Sequence, residues 1–180
     1  MNKQDEILDF WFSECEEEQW FKKSDAFDQM MRDRFLDDVE KALAGDYDDW
    51  AETPNGRLAL ILLLDQFTRN IFRNTPRSFA GDEKALKLCL DGIRLGFLEK
   101  LDGHHVWFFI LPMEHSEVLA VQEASLPLFK KYPPEDCYDY AAAHHDIIAR
   151  FGRFPHRNEI LGRESTPEEI EFLKEPGSSF

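Results

Sequence analysis

The arginines of this chain are unevenly distributed. Seven of the 11 arginines lie in two short segments without lysine, although the chain has 10 lysines. The first island is Asp65–Arg77 and the second island is His144–Arg163. Their arginines are Arg69, Arg73 and Arg77, then Arg150, Arg153, Arg157 and Arg163. Arginine without lysine is typical where a planar guanidinium binds carboxylate or phosphate, or where a buried cation is paired. The islands therefore predict an organised polar centre, which is either a ligand site or a structural brace.

The first island belongs to an apolar segment with a helical period. Asp65, Arg69 and Arg73 are four residues apart, so they lie along one helical face, with Gln66 beside them. One interpretation is a structural salt bridge between Asp65 and Arg69. The other is a pair of arginines, Arg69 and Arg73, that faces a ligand.

A second polar motif surrounds His115. If Pro112 begins a helix, Glu114 and Glu117 share a face of its first turn and His115 points elsewhere. Helix capping or pairing with the arginine islands is the favoured interpretation of such a group, and the alternatives are acid–base chemistry and metal binding. The zinc pattern of two histidines four residues apart is absent here, so no metal ligands are assigned.

The second island is the densest candidate for a site. Asp146 and Arg150 have the spacing of a helical ion pair, and His145 precedes them. After Gly152 the chain is expected to turn and to present four polar side chains from a constrained loop. They are Arg153, His156, Arg157 and Asn158. We predict an anion site here, with Glu114, His115, Glu117 and His156 as candidate catalytic groups. The alternative is a buried brace of arginines and carboxylates.

The elements that must position these residues are helical. Apolar residues recur with a helical period nearly throughout, and alternating strand patterns are absent. We predict an all-α antiparallel bundle of about 7–9 helices in successive helix pairs, although the tetratricopeptide sequence signature is missing. Residues 1–180 form one domain, with a frayed tail at 176–180. The predicted helices span 5–13, 26–44, 57–72, 82–95, 101–111, 112–131, 134–151 and 167–174, with Pro133-Pro134 as a break. Ser24, Thr53 and Thr166 are predicted N-caps, Gly45 a helix stop, and Thr166 with Glu169 a capping box.

Composition restricts the partners. The net charge of -15 opposes binding to nucleic acids or anionic membranes. The longest apolar run, 58–64, is too short to cross a bilayer, and the N-terminus lacks a signal-peptide pattern, so we expect a cytoplasmic protein. Cys15, Cys89 and Cys137 are widely spaced, which favours reduced structural thiols. No glycine-rich phosphate loop is present, and no cofactor is expected. Exposed aromatic residues that form a homodimer interface are an open alternative. For most of Trp11, Phe12, Trp20 and Trp107, however, burial in the core is favoured.

Three long motifs carry a resemblance to a known family. LILLLDQFTRNIFR, LPMEHSE and HDIIARFGRFPHRNEILGRESTPEEIEFL, together with LDFWF and FAGD, resemble the bacterial domain-of-unknown-function family 924. The resemblance extends from about Ile7 to Leu173 and implies an all-helical, tetratricopeptide-like fold without an established reaction. Two departures stand out: Thr68 replaces an expected proline, and His145 replaces an expected arginine. The second departure argues against any mechanism that needs a guanidinium there.

Three functions remain open. A site for a small anionic ligand, with acid–base or hydrolytic chemistry, is predicted first. The runner-up is a helical-repeat module that binds acidic peptide groups through arginine. In the third, the islands and carboxylates only neutralise each other. A deep pocket with an unpaired arginine would favour the first, an open concave surface several helices long the second, and complete arginine–carboxylate pairing without a cavity the third.

Overall fold

The structure, a computed structural model, describes residues 2–132 and 137–179, and in these residues it is helical without strands. The α-helices are α1 (Lys3–Asp9), α2 (Glu17–Phe21), α3 (Asp25–Ala44), α4 (Pro54–Ile61), α5 (Thr68–Ile71), α6 (Asp82–Arg94), α7 (Gly103–Glu114), α8 (Leu119–Lys131), α9 (Cys137–Phe151) and α10 (Pro167–Phe172). A π-helical turn, Phe10–Glu14, continues α1, and a second, Leu62–Phe67, joins α4 to α5 as one rod. Short 3-10 turns lie at Asp48–Glu52, Pro76–Phe79, Phe97–Lys100 and Pro155–Arg157. The all-α prediction is confirmed. The predicted break at Pro133-Pro134 and the last residue of the tail lie outside the described residues.

The predicted helix ends carry the expected capping contacts. The hydroxyl groups of Ser24, Thr53 and Thr166 each accept a hydrogen bond from the backbone N–H three residues on. Gly45 ends α3 with a φ of 97°, a conformation that glycine adopts without strain. At α10, the Glu169 carboxylate also accepts from the Thr166 N–H, which completes the predicted capping box.

The prediction that Pro112 begins a helix is wrong. Pro112 lies in the last turn of α7, which continues to Glu114, and α8 begins only at Leu119. All residues from Val106 to Met113 are buried. Each large apolar side chain that is buried contributes about 1.5–3 kcal/mol, so the segment together outweighs the roughly 3 kcal/mol that an internal proline costs. Glu114 therefore stands at the end of a helix, and Glu117 lies in the connection to α8.

The rod formed by α4, the second π turn and α5 is the centre of the bundle. Residues 58–64 are completely buried, and α1, α3, α6 and α7 pack around the rod. The start of α6 approaches it closely, because a Cβ added at Gly81 would lie 2.1 Å from the Leu64 carbonyl oxygen. The glycine of the FAGD motif thus allows α6 to begin directly against the π turn. The large aromatic residues Trp11, Trp20 and Trp107 are buried, as expected.

Helix α9 packs on α8 and α7, and the chain after α9 folds back over the end of α7. This packing brings the second island to the π turn of the first island and to the His115 motif. Among the helices of the described ranges, none combines the length and apolarity that a membrane span requires.

Candidate functional site

Side chains from four parts of the chain meet in one polar group, which we call the central cluster. The second π turn and α5, the start of α6, the end of α7, and α9 with the segment after it each contribute. The members are Asp65, Arg69, Asp82, Glu114, His115, His144 and Arg157.

Asp65 is the anchor of the central cluster. Its carboxylate is fully buried, lies 3.1 Å from Arg69 Nη1 and accepts a hydrogen bond of 2.5 Å from the Gln66 amide. The predicted Asp65–Arg69 pair is therefore present, and Arg69 also forms a bidentate pair with Asp82 at 2.8 and 3.0 Å. Burial disfavours the charge on Asp65, but its charged and hydrogen-bonded neighbours hold the pKa of this carboxyl below its usual range. The π turn carries both Asp65 and Gln66, and such turns are often found at functional sites.

His115 points into this group, contrary to the prediction. Its Nδ1 atom lies 2.7 Å from Asp65 Oδ1. Since an ionised carboxylate can only accept hydrogen bonds, Nδ1 carries the proton and Nε2 keeps its lone pair. Burial lowers the pKa of His115, so the imidazole is neutral near pH 7. The side chain is 16% exposed.

Glu114 is buried without adequate hydrogen bonding. Its Oε1 atom lies 3.2 Å from His144 Nδ1, and its Oε2 atom has no hydrogen-bond partner among the described residues. Burial, and then the charge of Asp65, raises the pKa of Glu114 to about 8. Burial lowers the pKa of His144 to about 3, so its imidazole is neutral. The site thus holds a protonated carboxylic acid beside neutral imidazoles at pH 7.

These side chains form a group of potential metal ligands. One donor atom each of Glu114, His115 and His144 lies within 4.8 Å of the other two. The sequence predicts no metal site, because His144 lies on a different helix and only the packing of α9 on α7 brings it close. Its neighbour His145, which the sequence analysis favoured, lies beside the exposed Asp146 carboxylate at 3.1 Å.

Arg157 is the least well compensated arginine of the islands. Its guanidinium lies between the rings of Phe79 and Phe154, 4.7 and 4.6 Å from their centroids. Nη2 donates to the His115 carbonyl at 2.9 Å, while the nearest carboxylate, Asp82, is 3.5 Å away and already pairs with Arg69. The Nε atom is buried and has no acceptor in the described residues. Burial lowers the pKa of Arg157 to about 10, still far above neutral pH, so the cation persists with few contacts.

The other arginines of the islands form ion pairs around the central cluster. These outer pairs are Arg73 with Asp28, Arg77 with Glu40, Arg150 with Glu168, Arg153 with Glu169, and Arg163 with Glu117. The predicted Asp146–Arg150 pair is replaced, because α10 folds back and places Glu168 3.0 Å from Arg150. Asn158 hydrogen-bonds to Glu169 and to Arg163, so it belongs to the outer pairs.

The prediction that Glu114 and Glu117 share a face of a helix start is also wrong. Glu117 receives two hydrogen bonds from Arg163, at 2.8 and 2.9 Å, and a third from the Phe154 N–H. These contacts fix the turn that carries Phe154 beside Arg157. His156 lies at the edge of the central cluster, and burial lowers its pKa to about 4.

The central cluster therefore contains only part of the predicted set. Predicted site residues inside or against it are Asp65, Gln66, Arg69, Glu114, His115, His156 and Arg157. Those outside it are Arg73, Glu117, His145, Arg150, Arg153 and Asn158. Asp82, His144 and Phe79 were missed, although the FAGD motif contains Phe79 and Asp82.

The chain is similar to proteins without a known activity. The family model described as bacterial protein of unknown function (DUF924) matches residues 7–177. The solved structure of ATU0120, a protein of unknown function from Agrobacterium tumefaciens, superimposes with a TM-score of 0.89 at 40% sequence identity. That match covers 95% of this chain and 96% of the other. Among curated proteins, none matches the sequence.

Proposed function

The chain belongs to the DUF924 family of bacterial proteins of unknown function, and we propose that it binds a small anionic ligand at Arg157. In this proposal, His115 and Glu114 transfer protons to and from the ligand, so the reaction class is acid–base or hydrolytic chemistry.

The contacts of Arg157 carry the proposal. A guanidinium that is only 7% exposed normally makes most of its hydrogen bonds to carboxylates or carbonyls. Arg157 has one carbonyl contact, one distant carboxylate and an Nε atom without an acceptor. The flanking rings exclude water, and this strengthens the attraction between the cation and an anion. A phosphate or carboxylate would supply the missing acceptor oxygens.

Proton transfer is supported by the two protonation states beside Arg157. His115 has a lone pair on Nε2, so it can accept a proton, and Glu114 is a neutral acid that can donate one. Pairs of groups whose environments separate their pKa values in this way are common in acid–base enzymes. Arg157 donates to the carbonyl of His115 itself, so an anion bound by Arg157 lies close to both groups.

The experiment is a thermal-shift titration with inorganic phosphate and with mono- and dicarboxylates. The wild-type chain is compared with Arg157→Gln and with Arg150→Gln, whose guanidinium pairs with the exposed Glu168 carboxylate outside the central cluster and therefore serves as the matched control. A ligand at 100 times its Kd stabilises the protein by about 2.7 kcal/mol, which corresponds to a shift of roughly 5–10 °C. We expect the shift in wild type and Arg150→Gln but not in Arg157→Gln. A shift that persists in Arg157→Gln, or no shift with any anion, would contradict the proposal.

A purely structural network is the second candidate, because the outer pairs are complete. It does not account for the missing contacts of Arg157 and Glu114. The tetratricopeptide-like peptide-binding alternative has less support. A groove of about 780 Å³ between α6 and α8 is lined mainly by apolar residues, including Leu86, Leu90 and Met113, and by none of the island arginines. An acidic peptide would find few guanidinium groups there.

A further inference from the structure

We propose that Glu114, His115 and His144 bind a divalent transition-metal ion, and Zn²⁺ is the first candidate. The inference concerns a different ligand from the anion at Arg157, and metal binding does not require that anion.

The donor set suits such an ion. Two imidazoles and one carboxylate, with further positions open, hold zinc in hydrolytic enzymes and iron(II) in other enzymes. Bond lengths of about 2.0–2.2 Å place the ligand atoms of a tetrahedral zinc site about 3.3–3.6 Å apart. The three donors here lie within 4.8 Å of one another, so small side-chain rotations would bring them into position. The hard ions Mg²⁺ and Ca²⁺ prefer oxygen-only sets and fit less well.

A second observation that supports a metal ion is the incomplete hydrogen bonding of the Glu114 carboxyl group. The residue is only 4% exposed, and its Oε2 atom has no partner in the described part of the chain. An unsatisfied buried polar atom costs about 1–3 kcal/mol, and buried polar groups in proteins usually have partners. A cation between Glu114 and the two rings would supply the missing interaction.

The supporting contacts are those of a metal site. Histidine ligands usually donate their second ring N–H to a carboxylate or a backbone carbonyl, which fixes the ring. His115 Nδ1 lies 2.7 Å from Asp65, and His144 Nδ1 lies 2.8 Å from the Tyr140 carbonyl. The Gln122 amide donates to the carbonyl groups of Glu114 and Ser116, at 2.5 and 2.8 Å. It therefore holds the turn that carries two of the three donors.

The charges around Glu114, His115 and His144 are also compatible with a bound cation. Apart from Glu114, three carboxylates face three guanidinium groups around the proposed ligands, so their charges balance. They are Asp65, Asp82 and Glu117 against Arg69, Arg157 and Arg163. A divalent ion bound to ionised Glu114 would leave one net positive charge. In the metal-bound state Glu114 and His115 are ligands and do not transfer protons, so only the anion-binding part of the proposed function applies there. The added charge would then help to bind the anion beside Arg157.

The test is a titration of chelator-stripped protein with Zn²⁺ by calorimetry, in a buffer without phosphate or carboxylates. We expect one ion per chain and a Kd in the micromolar range or tighter. Glu114→Gln and His115→Gln should each weaken the affinity at least 100-fold. Glutamine has nearly the shape of the protonated acid and is also neutral, so Glu114→Gln should keep the fold, which circular dichroism checks. The absorption spectrum of Co²⁺-loaded protein provides a second readout of the ligand set.

The control is the double variant His104→Gln/His105→Gln, which removes a histidine pair near the carboxylates of Glu17 and Asp102. It should bind Zn²⁺ as tightly as wild type. Loss of binding in this variant, or full binding in both Glu114→Gln and His115→Gln, would show adventitious binding and overturn the proposal. Absence of binding by Zn²⁺, Fe²⁺, Co²⁺ and Mn²⁺ would also overturn it. Arg157→Gln should still bind the metal, so failure of the anion proposal is distinguishable from failure of this one.

Discussion

Replacing Glu169 by glutamine should destabilise the fold in a pH-dependent way without affecting the central cluster. The Glu169 carboxylate accepts hydrogen bonds from Arg153 at 2.7 and 2.8 Å, from Asn158 at 3.2 Å and from the Thr166 N–H at 2.8 Å. These contacts, above all those with Arg153, lower its pKa from an ordinary 4.5 to about 2. The carboxylate thus connects the second island to the start of α10.

The magnitude follows from the pKa difference. The full shift corresponds to about 3 kcal/mol at 1.36 kcal/mol per pKa unit. Because Arg153 is 29% exposed, solvent screening reduces this, and we expect about 2 kcal/mol. A lowered folded-state pKa stabilises the protein above the unfolded-state pKa of about 4.5. The stabilisation is lost as the pH falls from 4.5 towards 2, with more than half of it gone at about pH 3.

The assay is urea unfolding of wild type and Glu169→Gln at pH 7 and at pH 3. The difference in unfolding free energy should be about 2 kcal/mol at pH 7 and less than half of that at pH 3. The control is Glu168→Gln, since Glu168 is 65% exposed and its pair with Arg150 should contribute less than about 0.5 kcal/mol. A difference that is equal at both pH values would refute the electrostatic reasoning. Glu169→Gln should also keep wild-type responses to Zn²⁺ and phosphate.

Three further outcomes test other parts of the structure. Asp65→Asn should weaken Zn²⁺ binding about 10–100-fold, because His115 loses the carboxylate that orients its ring; an unchanged Kd in calorimetry would argue against this role. Gly81→Ala should lower the unfolding free energy in urea by about 3 kcal/mol through backbone overlap, against about 1 kcal/mol for Gly96→Ala, whose added Cβ meets no neighbour. Equal losses would contradict the close packing of α6. Because burial raises the pKa of Cys15 to about 12, iodoacetamide at pH 8 should modify this thiol slowly in the folded protein and rapidly in urea, as followed by mass spectrometry.

Local features could be predicted from the sequence, and long-range contacts could not. The caps at Ser24, Thr53 and Thr166 depend on residues within one turn, and these predictions are confirmed. The Pro112 prediction failed because burial of a whole apolar segment outweighed a local breaking signal.

In the candidate site, too, local contacts could be predicted from the sequence and long-range contacts could not. The Asp65–Arg69 pair has helical spacing and could be predicted, whereas the partners of the other island arginines lie on distant elements. Asp82 and Glu169 can pair with Arg69 and Arg153 only after α6 and α10 have packed. His144 could not be distinguished from His145 by sequence, since the choice depends on which face of α9 meets α7.

The brace interpretation describes the outer pairs of the arginine islands, whereas we propose the ligand-site interpretation for Arg157 alone. The outer pairs have nearly complete hydrogen bonding, and several also fix backbone segments, as Arg163 does for the Phe154 carbonyl. Inside them, Arg157 and Glu114 are buried with unused donor and acceptor atoms, an arrangement that costs stability. Hydrogen bonds between these two groups, or with neighbouring side chains, would lower the free energy of the folded state. Instead, Arg157 stacks between the rings of Phe79 and Phe154, and Glu114 faces His144. Since a protein gains no stability from such groups, we propose that they serve a ligand and that the outer pairs hold them in place to receive it.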